Sequence, residues 1–143
     1  LWRGLALSAL VVGLGILISY LYEYLLGGAE IQASNDMYKA LTDSGFGIAT
    51  VAITAVVVAP LAEETFFRGF LFAGISKRWG YSWGVIVSGA VFAVAHFGSG
   101  GLVPIFILGM LLAWLYKRTG SVWPCILAHF AYNSLALLFM VIY

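Results

Sequence analysis

Five apolar stretches separated by short polar breaks make up most of this chain, and nothing constrains its fold more. They cover residues 4–26, 45–75, 82–97, 102–116 and 122–143. In hydrocarbon the backbone finds no water, so a crossing segment must satisfy its own N–H and C=O groups, as a helix does. About 20 residues cover a bilayer core. The composition agrees: 63% of residues are hydrophobic and 9% charged, against roughly 25% charged in a soluble domain. Mean hydropathy is +1.03. The expectation is an all-α, polytopic transmembrane bundle of about five spans, a single membrane domain over 1–143, enclosing a polar intramembrane cavity.

The breaks give it a direction. Arg3, Lys77-Arg78 and Lys117-Arg118 fall at alternate ends of successive stretches, which gathers them on one side, cytoplasmic by the positive-inside rule. The polar segment 27–44, with Glu30, Asp36, Lys39 and Asp43, then reads as an exposed outer loop holding a short amphipathic helix at 35–41. Residues 98–101 read as a tight outer turn. The second stretch is longer than a bilayer requires, which predicts a kink or break near Pro60 with a new helix starting just after it. Gly84, Ser88, Gly89 and Ala93 have small-residue spacings that allow close helix packing. A net charge of +1 and the lack of a basic run leave no nucleic-acid signature. The single cysteine, Cys125, excludes an intrachain disulfide and reads as a small buried side chain.

Against this background the run Glu63-Glu64-Thr65-Phe66-Phe67-Arg68 stands out. Charged groups at membrane depth are costly, so they are usually paired and functional. Glu64 and Arg68 are four residues apart and expected to pair on one helix face. Glu63 projects about 100° away and is left for chemistry, as a general base. Both histidines, His96 and His129, also lie in apolar stretches, His96 four residues after Phe92 and His129 four before Asn133. Glu63 is 14 residues from Lys77, His96 is 14 from Ser82 and Asn133 is 12 from Ser121. At helical rise these lie about 18–21 Å from the basic side, with His129 about 12 Å in. Three helices thus deliver polar groups to overlapping depths. Phe66, Phe67, Phe92 and Phe97 read as lipid-facing or packing residues.

Glu63-Glu64-x-x-x-Arg68, Phe92-x-x-x-His96 and His129-x-x-x-Asn133, in that order, resemble the three signature motifs of the CPBP (Abi) family. That family groups type II CAAX prenyl endopeptidases with bacteriocin-processing and immunity proteins. The resemblance covers residues 60–140 as the family core and implies an intramembrane endopeptidase. It gives Glu63 and His96 the activation of water, His129 and Asn133 the oxyanion site, and Glu64 with Arg68 the support of the motif helix. It implies no cofactor. The alternative on the same residues is a zinc-dependent protease with Glu63, His96 and His129 as ligands, although no His-Glu-x-x-His helix is present. A non-enzymatic immunity or scaffold protein is the competing class. Expected partners are membrane lipid and a membrane-anchored, lipidated or leader-peptide substrate, in the plasma membrane of a prokaryote.

Overall fold

The computed structural model describes residues 2–26, 36, 39, 40, 43, 45, 47–97 and 101–142. Five long helices form the bundle: α1 (Trp2–Leu26), α2 (Ala49–Trp79), α3 (Tyr81–Ala95), α4 (Leu102–Thr119) and α5 (Trp123–Ile142). There is no strand among the described residues. Helices α1, α2, α4 and α5 are long and apolar enough to cross a membrane. Large apolar side chains such as Leu17, Phe70 and Val94 point outward, as only lipid would reward. The chain is a membrane protein.

Three expectations about the segments change. The third stretch is a helix of 15 residues, about 22 Å long and shorter than a bilayer core, and it stops before His96. The second continues to Trp79 and is joined to α3 by Gly80 alone, whose φ of 90° suits glycine. Most consequentially, α2 does not break at Pro60. Proline lacks an N–H, and its ring crowds the carbonyl four residues earlier. The helix absorbs this by widening: Thr54–Val58 is π-helical, Ala59–Glu64 returns to α, and Thr65–Phe72 is π-helical again. The loop at 27–44 with its short helix, and the turn at 98–101, fall largely outside the described residues.

Pairwise contacts fix how the helices run. Arg68 reaches Gly109 and Phe72 meets Tyr116, so α2 and α4 are parallel. Ser8 donates to the Pro124 carbonyl and Ser19 meets Tyr132, so α1 and α5 are parallel as well. Between α1, α4 and α5 lies an apolar core of Val11, Leu108, Leu112, Leu115, Cys125 and Ala128. On the other flank α3 and α4 touch almost backbone to backbone. A methyl group at Gly109 would lie 3.0 Å from Gly89 Cα and 3.2 Å from the Phe92 ring.

These directions bring Arg3, Lys77, Arg78, Lys117 and Arg118 to one end of the bundle, all exposed. If that end is cytoplasmic, Arg78→Cys and Arg118→Cys should react with a membrane-impermeant maleimide in inverted vesicles and stay unlabelled in intact cells. The native thiol gives little background, since Cys125 is fully buried. Labelling from outside at either position would reverse the orientation.

Candidate active site

The site is assembled where α2, α3 and α5 meet, and each side chain arrives there for a local reason. Glu63 and Glu64 close the α-helical segment Ala59–Glu64, and Arg68 follows in the π-helical segment. His96 caps α3 with φ −100° and ψ 16°, turned off the helical path. His129 and Asn133 stand one turn apart on α5.

Behind the site lies a sealed ion pair. Arg68 Nη1 donates to Glu64 Oε1 at 2.7 Å, with both side chains at 1% exposure or less. Arg68 Nη2 donates to the Gly109 carbonyl at 3.2 Å. The guanidinium also sits over the Phe92 ring, 4.4 Å from its centroid, where the ring face attracts a cation. Glu64 Oε1 accepts a second bond, from His129 Nδ1 at 2.8 Å. One buried carboxylate thus ties α2 to α5, and its guanidinium partner ties α2 to α4.

At the front, Glu63 Oε2 lies 3.2 Å from His96 Nε2 and 3.8 Å from His129 Nε2. Glu63 and His96 are 26% and 22% exposed, whereas His129 is 2% exposed. The reactive pair therefore stands at the opening and the support is closed off behind it. The three atoms that Glu63, His96 and His129 offer lie within 4.8 Å of one another.

Hydrogen bonding on the far side of each ring sets its tautomer. His96 Nδ1 is 2.8 Å from the Phe92 carbonyl, which can only accept, so Nδ1 carries the hydrogen. His129 Nδ1 faces Glu64 Oε1, the oxygen that also accepts from Arg68, so Nδ1 is placed as the donor. In its neutral form each imidazole would therefore turn an Nε2 lone pair toward the Glu63 carboxylate. Three acceptors cannot face one another unrelieved, and a proton, a hydrogen-bonded water or a metal cation each satisfies them. The donor set and spacing also fit an open zinc site with two histidines and one carboxylate, each histidine oriented by a partner on its outer nitrogen.

The motif residues expected to converge are placed as follows. Glu63, His96 and His129 come together, and Glu64 pairs with Arg68. Asn133 turns instead to the backbone of α2, where its Nδ2 donates to the Ala55 carbonyl at 2.8 Å. The aromatic residues divide. Phe66 and Phe97 are exposed, while Phe67 and Phe92 are buried and meet edge to face at 5.0 Å. Phe92 also contacts the rings of His96 (4.3 Å) and His129 (5.6 Å), making it the apolar wall of the site. Its position four residues before His96 was the available signal. Nothing in the sequence pointed to the carbonyls of Gly109 and Ala55.

Comparison with known proteins agrees with this arrangement. Residues 45–135 match the family described as type II CAAX prenyl endopeptidase Rce1-like. Over 112 residues the chain is 26% identical to "Putative membrane peptidase YdiL" of Bacillus subtilis, covering 78% of this chain and 45% of that protein. It is 28% identical over 131 residues to an uncharacterized 24.3 kDa protein of Escherichia coli, covering 85% and 59%. With UPF0177 protein YbdI of Lactococcus lactis it shares 27% identity over 142 residues, covering 95% and 75%. The chain thus spans about half the length of the first two relatives. No solved structure matches it significantly. The matched region holds every residue of the acid–histidine cluster, and the chain belongs to the type II CAAX prenyl endopeptidase Rce1-like family.

Proposed function

We propose that this chain carries the hydrolytic core of an intramembrane endopeptidase acting on a membrane-associated or lipidated protein or peptide. The observation that carries the reading is the meeting of Glu63 Oε2 and His96 Nε2 at 3.2 Å, on side chains about a quarter exposed beside an otherwise buried polar cluster. A water donating to Glu63 beside His96 is polarised toward hydroxide. Its oxygen attacks the peptide carbonyl carbon while a proton passes to Glu63. Collapse of the tetrahedral intermediate breaks the C–N bond, and the proton is delivered to the departing amine by Glu63 or His96.

The developing oxyanion needs donors. His129 can serve from Nε2 when it carries a second proton, with Glu64 holding Nδ1. Asn133, one turn away, is the other candidate donor. In this reading Glu64 and Arg68 hold the motif helix. The family relationship and the membrane peptidase named among the relatives support the reaction class. The proposed location is the plasma membrane of a prokaryote. A scaffold or immunity protein would gain nothing from a carboxylate and two histidines gathered at this depth.

Metal dependence is a second reading with its own observation, the ligand atoms of Glu63, His96 and His129 within 4.8 Å of one another. Zinc there would supply Lewis acidity and a more acidic water. We favour direct activation by Glu63 and His96. Purified protein should then lack stoichiometric zinc and keep its activity after strong chelation. One zinc per wild-type chain and none in His129→Ala would establish the metal reading instead.

Glu63→Gln keeps the shape and removes the basic oxygen. Substrate turnover in membranes should fall by about 10²–10⁴-fold, with uncleaved precursor co-purifying with the variant. Wild-type turnover in Glu63→Gln would dismiss it as the base. Arg68→Ala leaves Glu64 buried without its guanidinium, a change that costs about 3–5 kcal/mol at comparable sites. Folded yield and thermal midpoint should fall together with activity. Normal stability with lost turnover would move Arg68 into the chemistry.

A further inference from the structure

Pro60 leaves a gap in the hydrogen-bond ladder of α2, and a side chain from another helix fills it. In a regular α-helix the Ala55 carbonyl would accept from the N–H of residue 59, and in a π turn from that of residue 60. The Ala59 N–H goes to the Thr54 carbonyl. Residue 60 is proline and has no N–H. Neither ladder donor is therefore available to Ala55. A carbonyl stranded in an apolar interior is costly, and Asn133 Nδ2 supplies the missing donor at 2.8 Å.

The position of this bond gives it a consequence for the site. Asn133 lies one turn beyond His129 on α5, about 6 Å along the axis, and Ala55 lies about 12 Å before Glu63 on α2. Among the described residues, the other polar tie between these helices is His129 with Glu63 and Glu64. A slip of one residue would move His129 about 1.5 Å along α2, enough to break its 2.8 Å bond to Glu64. We propose that Asn133 is a positioning residue: by satisfying the carbonyl that Pro60 leaves bare, it fixes the register of α5 against α2 and so places His129 at Glu63. The proposal rests on the hydrolytic reading for its catalytic meaning, but not for its test. An amide nitrogen has two hydrogens, so the one not bonded to Ala55 can still donate toward substrate.

The test uses four proteins in micelles: wild type, Asn133→Ala, Pro60→Ala and the double variant. Pro60→Ala returns an N–H to α2, so Ala55 no longer needs Asn133. The chain has two histidines, so ¹⁵N-histidine spectra show two imidazoles, assigned with His96→Gln. Asn133→Ala should shift the His129 lines and lower the thermal midpoint. Adding Pro60→Ala should return the lines toward wild type and recover at least half of the lost midpoint, a coupling of neighbours that independent sites do not show. Simple destabilisation by Asn133→Ala would leave the His129 lines of the folded protein in place. Unmoved lines, or equal losses with and without Pro60, would overturn the proposal.

If Pro60→Ala does not fold, spin labels at the exposed positions Val58 and Leu138 measure the α2–α5 register directly. A longer or broader distance distribution in Asn133→Ala supports the positioning role, and an unchanged one rejects it. None of these readouts needs a substrate. They stand or fall separately from hydrolysis.

Discussion

The buried pair of Glu64 and Arg68 is the interaction on which the rest of this structure depends. An isolated charge at membrane depth is costly, and even a buried pair depends on further partners around it. Here three helices contribute. Glu64 accepts from Arg68 and His129 on one oxygen, while Arg68 reaches the Gly109 backbone and lies over Phe92. Gly109 serves twice in this, because its missing side chain lets α3 pack against α4 beside the carbonyl that Arg68 needs. With Glu64 Oε1 and both terminal nitrogens of Arg68 engaged in that frame, Glu63 next to it is left to face the histidines.

The same frame explains the histidine chemistry. A ring is useful as a base or ligand only when its orientation and tautomer are set, and the outer nitrogens of both rings are engaged. Second partners of this kind commonly govern metal-bound histidines and catalytic ones alike. The arrangement is thus compatible with both mechanisms at the level of geometry. They are separated by what relieves the three facing acceptors: a proton and water, or a cation.

Much of this was legible in the sequence, for identifiable reasons. Apolar length located the helices, and the four-residue spacing of Glu64 and Arg68 foretold their bond. Residue counts from the basic ends matched the depths of Glu63 and His96, which do meet. The misreadings have physical causes. Of the kink or break expected at Pro60, the break is absent because a π turn can absorb the ring. The end of α3 was placed past His96 because a terminal histidine and phenylalanine look no different from a continuing apolar helix. Asn133 shared a face with His129 as expected, but a side chain cannot be seen reaching for a backbone carbonyl, since every residue has one. The placement of Phe92 against both histidines likewise depends on packing across helices.

The shortness of α3 also has a meaning for the lipid around it. Its 15 residues fall about 8 Å short of a hydrocarbon core of about 30 Å, and outward residues such as Val91, Val94 and Phe97 are exposed. Lipid beside such a helix thins locally, at a modest energetic cost for each ångström of mismatch. The dimple would form where His96 ends the helix, bringing headgroups and water nearer to Glu63. In the proposed hydrolytic reading, a polar peptide bond would then cross less oil to reach the acid–histidine pair, with the bilayer itself forming part of the approach.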